Sequence, residues 1–184
     1  MSDLQGLPIG QRHQSYRVFS GVELTVGATA PTMVHRAPYN VPEFTIADDC
    51  SVQWPVPNDW HYNSDFVVWF RWGCNEAYGL ANGEVRWQYL WEAVPNDMSE
   101  AIGAPTHTGT GNTGDINIPA VANTVTEVQL LCTITGAAAA LVAGDTIGLN
   151  IERIALVAGV NPTAEPYILT VGVDYASHFP TYSL

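Results

Sequence analysis

The stretch "SDFVVWFRWGCNEAYGLANGEVRWQYLWEAV", Ser64 to Val94, decides the fold class and holds four of the chain's six tryptophans. In Phe66 to Cys74 one parity carries Phe66, Val68, Phe70, Trp72 and Cys74, and the other carries Val67, Trp69, Arg71 and Gly73. Period-two patterning of this kind predicts a strand, and its first half is apolar on both faces, so something covers each side. In Val85 to Val94 the row Val85, Trp87, Tyr89, Trp91 and Ala93 alternates with Arg86, Gln88, Leu90 and Glu92, which predicts a strand with one core face. Asn82-Gly83 reads as the turn between a pair of strands. Trp72, Trp87 and Trp91 fall on core rows. Trp69 sits on the opposite parity and calls for a cover from outside the chain, a subunit or partner contact.

Working outward, the same alternation recurs. Val22, Leu24 and Val26 alternate with Glu23 and Thr25. "GATAPTMVHRAPYNVP" holds Pro31, Pro38 and Pro42 and reads as a loop or an irregular edge strand, because proline removes ladder donors. Phe44 to Trp54 is interrupted by Asp48 and Asp49, a bend. Val125 to Thr135 places Val128, Leu130, Cys132 and Ile134 on one face, and Thr146 to Leu156 does so for Ile147, Leu149 and Ile151. Tyr167 to Tyr175 puts Tyr167, Leu169, Val171, Val173 and Tyr175 inward. The Gly/Thr/Asn/Pro stretch 103–123 reads as a surface loop with a short strand at Ile116 to Ile118. Helix is confined to a turn or two in 136–145 and one short helix in 96–104. Seven or eight strands with long connections predict an all-β chain. The expected fold is a two-sheet antiparallel β-sandwich, jelly-roll-like, with an extended N-terminal arm. The arm and Pro-rich segment span 1–42 and the sandwich 43–184.

Composition narrows the function. Of 184 residues 47% are hydrophobic and only 13% charged, about half the usual charged share of globular proteins. The net charge of −12 argues against binding nucleic acid, which needs basic residues to neutralise phosphates, and against an anionic membrane surface. There is no lysine; the bases are Arg12, Arg17, Arg36, Arg71, Arg86 and Arg153. No run approaches the roughly 18 apolar residues that span a bilayer. Cys50, Cys74 and Cys132 are odd in number and match no zinc spacing, so they read as buried free thiols.

Motifs for chemistry are sparse. His13, His35, His61, His107 and His178 lie in separate segments without metal-ligand spacing, and no metal or cofactor is expected. Asp48 and Asp49 are sequence neighbours in a bend, ordinary turn formers rather than an acid–base pair. "GTGNTGD" lacks the lysine of a phosphate loop, and Asp115 offers at most a weak calcium signal. The expectation is a protein that is not an enzyme.

The segments "VQWPVPNDW", "SDFVVWFRW", "NGEVRWQYLW", "AGDTIGLNIERIA" and "PYILTVGVDY" resemble small β-sandwich proteins of tailed-bacteriophage virions. The shared elements are Trp54 with Pro57, Val67 with Trp69, Gly83 with Val85 and Trp87, Gly144 to Arg153, and Leu169 to Tyr175. This resemblance covers roughly residues 50–175. It implies a head decoration (cement) protein, a homotrimer on the capsid surface made in the host cytoplasm, with the major capsid protein as partner. Arg12, Arg17, Arg36, Phe66, Trp69 and Arg71 are then the capsid- or subunit-contact candidates. The alternative is a carbohydrate-binding or receptor-binding module of a head or tail fibre, with Tyr39, Trp60, Tyr62 and Tyr78 as the ring-stacking candidates.

Overall fold

A computed structural model describes residues 11–16, 25–26, 29–36, 38–81, 83–97 and 106–178. The chain is a two-sheet antiparallel β-sandwich of the jelly-roll type. The first sheet contains β1 (Gln11–Tyr16), β3 (Thr32–Arg36), β4 (Tyr39–Glu43), β6 (Phe66–Cys74), β9 (Thr124–Val125), β10 (Gln129–Ile134) and β12 (Pro166–His178). Its main order is β10-β6-β12-β4-β3, with β1 also on β12 and β9 also on β6. The second sheet runs β2 (Thr25–Val26), β5 (Asp49–Pro55), β11 (Thr146–Ile154), β7 (Glu84–Val94), β8 (His107–Asn117). One helical turn, α1 (Tyr78–Ala81), lies between β6 and β7.

The core row of β6 is the one the alternation gives: Phe66, Val68, Phe70, Trp72 and Cys74 are fully buried. Across from it lie Val85 and Trp87 of β7, with Tyr89 and Trp91 packed against the same core. Trp87 is the hub. Its ring meets Phe44 at 5.2 Å, Phe70 at 5.9 Å and Trp72 at 6.0 Å, all edge-on, the arrangement that aromatic quadrupoles favour. The pair of strands expected around Asn82-Gly83 therefore does not pair. β6 and β7 belong to different sheets, and their rings interdigitate across the sandwich instead of their backbones bonding.

Two further expectations are corrected by bulges. The register of β10 against β6 shifts between Leu130 and Cys132, so Leu131 joins Cys132 and Ile134 in the core while Val128 and Leu130 are each 60% exposed. The register of β12 shifts between Ile168 and Thr170; Ile168, Val171, Val173 and Tyr175 face the core, and Tyr167 and Leu169 do not. A single extra residue flips every side chain beyond it, and alternation read along one chain does not reveal it.

The stretch read as a loop over 103–123 instead contains β8, eleven residues paired with β7. Its glycines mask a strand, yet they are what the pairing requires. Gly109 sits opposite Trp91 and Gly111 opposite Tyr89, and a Cβ at either would strike the ring of its partner. The same device recurs in the first sheet, where Trp69 lies over Gly172 and Tyr167 over Gly73. Trp69 is accordingly only 8% exposed, covered within its own sheet rather than by a partner.

Strands from the segment read as an arm are integrated into both sheets: β1 pairs with β12, β2 with β5, and β3–β4 form a hairpin at the edge of the first sheet. The Pro-rich segment is that hairpin, with Pro38 in its turn and Pro42 within β4. The bend at Asp48 is as read. Its carboxylate accepts the Thr45 amide and hydroxyl at 2.6 and 2.8 Å, beside Ala47 at φ 74°. The Ala-rich run 136–145 forms turns. Arg17 and most of the short helix expected at 96–104 lie outside the described residues.

Candidate functional site

The β3–β4 hairpin and the bulged end of β12 enclose a cleft of about 430 Å³. Its floor is Val41, Tyr167 and Leu169, the three residues that the hairpin and the β12 bulge turn away from the core. Its rim is His35, Arg36 and Tyr39 on one side and Asn123 and Val125 on the other.

Each rim group is held. The Tyr167 ring lies against Gly73, where a Cβ would come within 2.6 Å of its hydroxyl, and the Arg36 guanidinium stands 5.0 Å above its centroid. Arg36 is ion-paired with Glu43 and donates to the Asn123 side-chain oxygen at 3.1 Å. Asn123 has a φ of 61°, a left-handed turn that asparagine tolerates better than most residues. Glu43 cancels the charge of Arg36, so the cleft presents donors without net positive charge. Burial raises the Tyr167 phenol above its ordinary pKa, with the Arg36 charge acting against that shift. The His35 ring bonds Asn40 at 2.9 Å. Tyr39 is 57% exposed, an open aromatic face at the mouth.

Of the residues singled out in the sequence, the cleft brings together Arg36 and Tyr39. Trp60 is 5% exposed and stacks on Phe66 at 5.4 Å, so its face is taken. Phe66 is fully buried in that same stack and offers no surface. Tyr62 is 61% exposed but packs edge-on to Trp60, which bridges to Ser177, ten residues along β12 from Tyr167. Tyr78 packs against the core. Arg71 donates to the Thr126 carbonyl at 3.2 Å on the outer face of β6. Arg12 is in β1, opposite Ser177. Tyr167 and Asn123 were missed: Tyr167 because the bulge reverses its face, Asn123 because a lone asparagine in a turn carries no pattern.

The carboxylates of Asp49 and Asp115 are engaged in the fold. Asp49 accepts from the Thr29 amide and the Asn150 side chain, and Asp115 accepts from the Ala158 amide at 3.0 Å and pairs with Arg86, closing a loop rather than shaping a calcium site. Among the described residues no three His, Cys, Asp or Glu side chains converge as metal ligands would.

No family profile matches the chain, and no curated protein matches it in sequence. Solved structures are similar to the chain at low identity and low TM-score. One is a carbohydrate-binding module, CBM36, in complex with calcium and xylotriose (15% identity, 89% of this chain and 99% of that one, TM-score 0.43). A second is the CBM36-1 domain of a multidomain xylanase from the hindgut metagenome of Trinervitermes trinervoides (8%, 88% and 96%, TM-score 0.43). A third is peanut lectin with a 9mer peptide (8%, 93% and 99%, TM-score 0.39).

Proposed function

We propose that the chain is a non-catalytic binding module whose cleft takes a neutral saccharide. The observation that carries this is the exposed Tyr39 ring set beside an oriented guanidinium, an imidazole and an amide in one open cleft. A sugar ring presents an apolar C–H face to an aromatic and hydroxyls to fixed polar groups, and these residues supply both. The net charge of −12 and the neutralised Arg36 argue against acidic glycans. Tyr39→Ala removes an exposed ring, so the variant keeps its thermal stability and loses about tenfold or more in affinity on a glycan array. Unchanged binding by that variant sinks the reading.

A second reading is the virion decoration protein, a homotrimer on a major capsid protein. It is supported by Leu130 on the edge strand β10 and Val128 just before that strand, both 60% exposed, with Val67 of the adjoining β6 at 38%. Sedimentation of the purified chain, alone and with capsids, tests it: a monomer that does not co-sediment removes this reading.

A further inference from the structure

Glycine weakens a strand, and in this sandwich strand glycines have visible reasons. Gly73, Gly109, Gly111 and Gly172 each lie under the aromatic ring of the residue opposite, and Gly114 has a φ of 72°. Gly148 has neither. It sits in β11, the middle strand of the five-stranded sheet, outside the left-handed region, and a Cβ built on it meets nothing within 4 Å. Among the described strand glycines, Gly148 is thus the one that neither a facing ring nor a positive φ accounts for, and the space above it is open.

The surroundings say what fits there. Gly148 lies between Gln53 of β5 and Glu92 of β7, and in the next row Asn150 lies between Ser51 and Leu90. Together they border a groove of about 300 Å³ on the outer face of this sheet. Asn150 is fixed by donating to Asp49 at 2.7 Å and to Ser51 at 3.2 Å. Leu90 is 39% exposed, an apolar wall beside amide, hydroxyl and carboxylate groups. Among the described residues no basic side chain borders the groove, so it does not suit an anion.

We propose that this groove is a second binding site, in which a neutral pyranose ring of a linear polysaccharide lies against Gly148 with its hydroxyls on Gln53, Glu92 and Ser51. The inference rests on the saccharide reading above but uses the opposite sheet, so the molecule holds two chains, one on each face.

The test is an NMR amide-shift titration with linear β-linked glucose, xylose and mannose oligosaccharides, run on the wild type, Gly148→Val and Tyr39→Ala. The wild type shows two groups of shifts, one around Gly148 and Asn150 and one around Tyr39 and Asn123. Gly148→Val abolishes the first group only and raises Tm by about 1–3 °C, because a β-branched residue replaces glycine in a strand with room for it. Tyr39→Ala abolishes the second group only. Absence of the Gly148 group in the wild type, its persistence at equal affinity in Gly148→Val, or a fall in Tm overturns the groove. Shifts at Gly148 without shifts at Tyr39 sink the cleft and leave the groove standing; the reverse leaves the cleft alone.

Discussion

Trp69 of β6 and Gly172 of β12 are direct cross-strand partners, and the indole occupies the space where a Cβ on residue 172 would stand. An aromatic over a glycine shields strand backbone that would otherwise be wet, and this sandwich repeats the pairing at Gly73, Gly109 and Gly111.

Gly172→Ala is therefore expected to destabilise by about 1–3 kcal/mol, the usual cost of overpacking. Trp69→Ala in the same background relieves the clash, so the double variant loses less than the sum of the singles. Chemical denaturation of the four-member cycle measures the coupling, and strict additivity contradicts the contact.

Trp87→Ala removes the ring on which Phe44, Phe70 and Trp72 converge. The expected loss is about 3–5 kcal/mol, and Trp87→Phe loses visibly less because it keeps most of the volume. Both are read as denaturant midpoints at constant slope.

All three cysteines are buried, and burial pushes the thiols of Cys50 and Cys132 up to about 12 and raises that of Cys74. Little thiolate exists at neutral pH, so an aromatic disulfide reagent labels none of them quickly in the native protein. In denaturant all three react. Fast native labelling of any one contradicts the packing around it.

Two glutamates are expected to act on stability with opposite pH dependence. The Ala164 and Thr163 amides hold the Glu76 carboxyl below its ordinary pKa, so its stabilisation is full above the unfolded-state value and is lost as pH falls through the folded one. Desolvation and the neighbouring Asp49 charge raise the Glu152 carboxyl, so its cost is full above its folded pKa and gone below the unfolded one. Glu76→Gln thus lowers Tm at neutral pH, and Glu152→Gln raises it by about 1–2 °C. Both differences shrink near pH 3. Melting curves between pH 3 and 7 check the signs.

Much of this fold is legible in the residues. The rows Phe66 to Cys74 and Val85 to Ala93 follow from period-two patterning because each is uninterrupted. What escapes is whatever one residue reverses or hides. The bulges near Leu131 and Leu169 flip faces without leaving a local mark, and the β8 glycines look like loop until Trp91 and Tyr89 are placed over them. Pairing of strands is also invisible: nothing in the turn-like Asn82-Gly83 says that β6 and β7 stack through their side chains. The cleft was half legible, since Arg36 and Tyr39 stood out while Tyr167 lay beyond the bulge. Exposure was not legible for Trp60, whose loop position concealed its stacking on Phe66.

The pairing of β6 with β12 joins Phe66 to Tyr175, more than a hundred residues further along the chain. On a ribosome the apolar β6 would emerge long before the strand that flanks it, with both of its faces open. Folding that must close so long a loop falls in the slow range of roughly milliseconds to seconds. During that interval "FVVWF" is a sticky edge, and a cell producing this chain has reason to shelter it until β12 arrives.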